Sequence, residues 1–212
     1  MQYTNLKSGI LKLQTLSVAR GDLTLISDLT FTLAAGDMLW IKGGNGIGKT
    51  SLLKCCAGVL RPQSGTIFWN DEDITDQASP YAVYQGHDDA HKTELTVLEN
   101  LEFWQSIYET NTGVQKTLER VGLSHKMDLR AKSLSAGQSR RLALARLLIS
   151  NAPLWILDEP AAAMDTKGQA LIHELLHEHL GRKGSVLLAS HGAPKRLGTN
   201  TRLLTLTGDG DE

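Results

Sequence analysis

Gly43-Gly44-Asn45-Gly46-Ile47-Gly48-Lys49-Thr50-Ser51 is the most informative stretch of this 212-residue chain. It fits G-x-x-x-x-G-K-[ST], the pattern of a loop that wraps the phosphates of a nucleoside triphosphate. Glycine lets the backbone come close to an anion, with successive amide N–H groups pointing inward. Lys49 brings a point charge to the β- and γ-phosphates, and the Thr50 hydroxyl suits Mg2+. The flanks agree with this reading. Met38-Leu39-Trp40-Ile41 is an apolar run that reads as the strand entering the loop, and residues 51–57 read as the helix leaving it. A helix that starts near Gly48 aims the positive end of its dipole at the same anion. A glycine-rich turn that binds nothing has no need of strand, loop and helix in that order.

Composition narrows the remaining classes. A chain of 212 residues with 41% hydrophobic content suits a single globular domain spanning residues 1–212. A formal net charge of -1 argues against a general nucleic-acid binder. No apolar run approaches the roughly 20 residues that span a bilayer. The opening Met1-Gln2-Tyr3-Thr4-Asn5-Leu6-Lys7 lacks the pattern of a secretory signal, so a cytoplasmic location is expected. Cys55 and Cys56 are the only cysteines. As neighbours on one predicted helix they cannot readily pair, and they read as packed, reduced thiols.

Alternation in residues 10–18 and 26–33 predicts antiparallel strands with one polar face. Further strands are predicted over 65–69 and 81–84, the latter stopping at Gln85-Gly86-His87, with an acidic, turn-rich stretch between them. Residues 95–148 read almost entirely as helix, over 97–108, 113–121 and 135–149. A helical subdomain of about 95–150 therefore interrupts an α/β core. Strands resume at 154–157, 185–189 and 201–206, a helix is predicted over 167–180, and the tail 208–212 is expected to be loose.

A second motif meets the first. Leu154-Trp155-Ile156-Leu157-Asp158-Glu159-Pro160 is an apolar strand ending in two acids. Asp158 would hold Mg2+ or its waters, and Glu159 would orient the attacking water as general base. An acidic pair at a strand end is by itself an ordinary solvated loop. With the phosphate loop it reads as a Walker B motif. Leu134-Ser135-Ala136-Gly137-Gln138 then opens a helix with Ser135 as a natural N-cap. Small residues at such a terminus leave a polarised anion site exposed.

Leu134–Gln138, just before Walker B, resembles the Leu-Ser-Gly-Gly-Gln signature of ATP-binding cassette (ABC) proteins, departing from it at Ala136. The resemblance covers essentially the whole chain. It implies a P-loop nucleoside triphosphatase fold of the α/β class. That fold has a mainly parallel core sheet, an antiparallel β subdomain and an α-helical subdomain. It also implies a head-to-tail dimer around two ATP. There Ser135 and Gly137, with Gln138 beside them, would complete the site of the second copy. Asp165 matches the aspartate that crosses that interface, and His191 matches the switch histidine that contacts the γ-phosphate and supports Glu159. An aromatic residue near adenine is replaced by Arg20, followed by Gly21. Its guanidinium either stacks on the base or is a surface charge. The glutamine that couples Mg2+ to the membrane partner falls, by spacing, at His87, while Gln85 keeps the chemistry at a shifted position. The spacing favours His87.

Tyr84-Gln85-Gly86-His87, Lys92-Thr93-Glu94-Leu95-Thr96 and Glu99-Asn100-Leu101 narrow the resemblance to the ATP-binding subunits of the cytochrome c maturation haem exporter. That group implies a peripheral protein on the cytoplasmic face of the inner membrane. Its partners would be separate integral membrane subunits and, indirectly, a haem chaperone. Two rival readings are the ATPase of another small lipid or lipoprotein exporter and a soluble ABC ATPase acting on ribosomes or DNA.

Overall fold

A computed structural model describes residues 8–192 and 200–207. The chain divides into two compact units. The first holds the described residues up to 84, residues 152–159 and the described residues from 176 onward; the second holds residues 85–151 and 160–175.

In chain order the strands are β1 (Leu11–Arg20), β2 (Leu23–Leu33), β3 (Met38–Lys42), β4 (Ser64–Trp69), β5 (Glu72–Asp73), β6 (Ala82–Gln85), β7 (Leu154–Asp158), β8 (Ser185–Ala189) and β9 (Thr201–Thr205). The helices are α1 (Lys49–Cys56), α2 (Val97–Ile107), α3 (Val114–Val121), α4 (Ala136–Ser150) and α5 (Thr166–Gly181). One sheet has the order β2-β1-β4-β5, and its described pairs are antiparallel. The other has the order β6-β7-β8-β3-β9, and the pairs β7–β8, β8–β3 and β3–β9 are parallel.

Every residue of β7 and β8 is buried. That matches their unbroken apolar runs, as expected of central strands covered on both faces. The first unit's core joins both sheets through Leu13, Leu16, Ile41, Leu52, Ile156 and Leu187. β4 approaches β1 so closely that a Cβ on Gly65, at φ +86, would lie 2.3 Å from the Thr15 carbonyl oxygen. Only glycine fits there. In the second unit α2, α3 and α4 pack together around Leu101, Leu118, Val121, Leu142 and Leu147.

The strands and helices fall within a residue or two of the sequence expectations at most ends. The stretch 95–148 is more broken than expected. α3 stops at Gly122, which caps it in the left-handed conformation at φ +75, and two short 3-10 turns, Ser124–Lys126 and Ala131–Ser133, follow before α4. The second unit is also wider than 95–150, taking in residues 85–94 and 160–175. The acidic turn over 70–77 contains the two-residue strand β5, paired to Phe68 and Trp69. The tail 208–212 lies outside the described residues.

Candidate functional site

β3 delivers the chain into the loop of residues 43–48, and α1 begins at Lys49. Gly48 sits in the left-handed region at φ +107, and a Cβ there would meet Leu25 and Ile26 at 3.0 and 3.2 Å. The loop closes around the Lys49 ammonium, whose Nζ donates to the carbonyls of Gly43 at 2.8 Å and Gly44 at 2.7 Å. No side chain caps α1. First-turn amides left without a side-chain cap are the groups that can take an anion at a helix terminus. Ser51 lies half-buried on α1. Cys55 and Cys56 are buried further along the helix, where burial pushes the Cys55 thiol up to about 11 and Cys56 higher still. Both stay protonated and inert at neutral pH.

Thr50 Oγ1 donates to Asp158 Oδ2 at 2.6 Å, joining the start of α1 to the end of β7. Asp158 is 5% exposed. A hydroxyl and a carboxylate in contact are hard oxygen donors, the type that Mg2+ takes beside phosphate oxygens and waters, so this pair fits that ion. Glu159 follows in the left-handed region at φ +49, a conformation that costs a non-glycine residue energy and needs support. The support comes from the end of β8. Glu159 N–H donates to the Ala189 carbonyl at 2.9 Å, and the His191 N–H donates to Glu159 Oε1 at 2.9 Å. His191 Nε2 lies 3.8 Å from the same carboxylate oxygen, and its side chain is mostly exposed. Trp40 on β3 steadies this corner, its indole N–H donating to the Ser190 carbonyl at 3.0 Å. Trp40 was readable in the sequence only as a strand residue, because nothing there reveals its long-range acceptor.

Lys49, Thr50, Asp158, Glu159 and His191 thus come together in the first unit. Arg20 lies in the same unit, exposed at the end of β1 beside the Gly21 turn. Ser135, Gly137, Gln138 and Asp165 belong to the second. Ser135 is the N-cap of α4 in a reciprocal capping box: its hydroxyl accepts from Gln138 N–H at 3.4 Å, and Gln138 Oε1 accepts from Ser135 N–H at 3.1 Å. A Cβ on Gly137 would sit 3.3 Å from the Ala163 carbonyl oxygen. Asp165 Oδ1 accepts from Gly168 N–H at 2.8 Å at the start of α5, and that bond holds its carboxyl below the usual range, with Arg141 adding to the effect.

Gln85 and His87 also lie in the second unit and differ sharply. Gln85 ends β6 fully buried, and neither atom of its side-chain amide has a hydrogen-bond partner among the described residues. His87 is exposed in the bend that follows.

Residues 26–162 match the protein-family model described as ABC transporter. The chain is 49% identical over 187 residues to the cytochrome c biogenesis ATP-binding export protein CcmA of Haemophilus influenzae, covering 85% of this chain and 88% of that one. It is 42% identical over 204 residues to the protein of the same name from Rhizobium johnstonii, covering 92% and 93%. Among solved structures, an ABC transporter ATP-binding protein of Pyrococcus furiosus superposes with a TM-score of 0.81 at 27% identity, over 93% of this chain and 97% of that one.

Proposed function

We propose, from the premise that this chain belongs to the ABC transporter family and to its cytochrome c biogenesis ATP-binding export branch, the following nucleotide cycle. The chain is an ATP-binding and ATP-hydrolysing subunit with the ABC ATPase fold. Residues 43–51 cradle the phosphates of ATP, with Lys49 turning from its loop carbonyls to the β- and γ-oxygens. Thr50 and Asp158 would hold Mg2+, which when bound supplies charge neutralisation on the phosphates. Glu159 accepts the proton of the attacking water as its oxygen bonds to the γ-phosphorus, and ADP departs with the bond to that phosphorus broken. His191 contacts the γ-phosphate and keeps Glu159 in its left-handed turn. The observation that carries this reading is the pair of bonds Thr50–Asp158 and His191–Glu159, which tie four chemically matched residues together beside Lys49.

The finer roles follow the same logic. Ser135 and Gly137 on one copy, with Gln138 and Asp165 beside them, complete the phosphate site of a second copy in a head-to-tail dimer. The coupling role goes to Gln85 rather than His87, because a buried amide without partners is costly to keep unless something else uses it. Arg20 would stack its guanidinium on adenine. No helix among the described residues is long and apolar enough to cross a membrane. Translocation would fall to separate membrane-spanning subunits, as the likeness to export-protein relatives supports. Turnover would drive haem export, or release of a haem-loaded chaperone, at the cytoplasmic face of the inner membrane.

The test is mild-detergent purification of the tagged chain from membranes, followed by mass spectrometry and a haem absorbance scan. Recovery with small multi-span subunits and a haem-bearing protein is expected. Recovery with permeases and no haem protein would discard the haem pathway and leave another exporter. Recovery with ribosomes or DNA alone would remove transport altogether.

A further inference from the structure

Residues 86–91 leave the end of β6 and fold onto α4 within the second unit. Arg140, in the second turn of α4, is 4% exposed. Its Nη1 donates to Asp89 Oδ1 at 2.7 Å and to the Gly86 carbonyl at 3.1 Å. One residue earlier on the helix, the Ser139 carbonyl accepts from His91 Nε2 at 2.9 Å. Just downstream, the buried Asn100 pins the next segment by accepting from Lys92 N–H and donating to the carbonyls of Lys92 and Thr96. The whole run from Gly86 to Thr96 is therefore fastened to helices of its own unit.

A buried guanidinium–carboxylate pair adds little stability over apolar side chains of the same volume. It fixes a geometry instead. A rigid planar head reaching two acceptors at once sets the separation of the elements that carry them. We propose that Arg140 is a positioning residue for ATP hydrolysis. It locks the loop that follows Gln85 to the first turns of the helix that begins at Ser135, so that Gln85 and the Ser135–Gly137 end of α4 shift together. Ser135 lies about a turn and a half from Arg140 along the helix.

This inference rests on the nucleotide cycle proposed above and makes a separable demand on it. In that cycle the residues that hold ATP within one copy, 43–51 with Asp158, lie in the first unit, so breaking the lock should leave affinity within one copy intact. Hydrolysis needs Ser135 and Gly137 in register, so the rate falls.

The test uses the full-length chain with Arg140→Met. MgATP affinity is read by displacement of a fluorescent ATP analogue, kcat by phosphate release, and folding by thermal unfolding. Affinity within about twofold of the native chain and a kcat lower by about tenfold or more is the expected result. An unchanged kcat overturns the proposal, as does a rate loss matched by an equal loss of folded protein. If Arg140→Met does not fold, Asp89→Ala removes the side-chain acceptor on the loop, and the same two outcomes apply to it. Native chain and Glu159→Gln run alongside. If those two hydrolyse ATP equally, the nucleotide cycle itself fails, a result distinct from an unaffected Arg140→Met.

Discussion

Acid should destabilise the first unit through a single histidine beneath the strand that carries Asp158. His179 on α5 is 2% exposed and stacks on Trp155 of β7, with ring centroids 3.9 Å apart and planes 12° from parallel. Its Nε2 lies 3.3 Å from the Ser185 carbonyl oxygen. Burial pushes its pKa down from 6.5 to about 3, with Arg182 opposing the charge further and the carbonyls of Ser185 and Pro153 pulling the other way. Because the folded value is the lower one, the unfolded chain binds the proton first. The resulting stability is fully present above about pH 6.5 and is lost progressively as pH falls toward about 3. At about pH 5 the linkage amounts to about 2 kcal/mol relative to neutral pH. His179→Phe keeps a flat ring against Trp155 and removes the titration, at a cost of about 1–3 kcal/mol for the lost hydrogen bond. Urea denaturation followed by tryptophan fluorescence, at about pH 7.5 and about pH 5, reads both effects. Carboxylates elsewhere titrate alike in the two proteins, so the difference between their losses isolates His179. The native chain should lose about 2 kcal/mol more than the variant. Equal losses in the two proteins would show that His179 does not carry the acid sensitivity.

Two further substitutions probe the site. Gly48→Ala places a methyl 3.0 Å from Leu25 Cβ at φ +107, so it should lower stability by about 1–3 kcal/mol and weaken MgATP binding in calorimetric titration. Native stability with native affinity would show that the loop does not depend on this turn. Ser135→Ala removes the cap of α4 and should cost about 1 kcal/mol in denaturant unfolding. MgATP affinity should stay native while phosphate release falls about tenfold or more, and a native rate would remove Ser135 from the hydrolytic step.

The sequence was most legible where backbone chemistry and side-chain chemistry coincide. A loop of residues 43–48 needs glycine for its shape and lysine for its charge, so its pattern is dense. The β8 range 185–189 was read to the residue because a strand buried on both faces is apolar throughout. Ser135, read as an N-cap, does open α4, in a capping box, and the structure shows the same box at Thr96 opening α2. Legibility fails where a residue's meaning depends on a distant partner. Counting spacing favours His87 for the coupling position, and a count does not show that β6 ends at the buried Gln85 while His87 is exposed, which is the basis for proposing Gln85 instead. Nothing in the sequence marks Arg140 as buried and paired to Asp89. The 3-10 turns between α3 and α4 escape notice because their residues carry no period long enough to register.

Glu159, held by His191 N–H at the end of β8, is the proposed base for ATP hydrolysis. Glu159→Gln keeps the shape and the acceptor oxygen but removes the ability to take a proton. Phosphate release and sedimentation of the native and variant chains with MgATP test the claim side by side. Native MgATP affinity, a rate lower by about a hundredfold or more and an ATP-dependent dimer that persists are the predicted results. Hydrolysis by Glu159→Gln at the native rate would show that Glu159 is not the base.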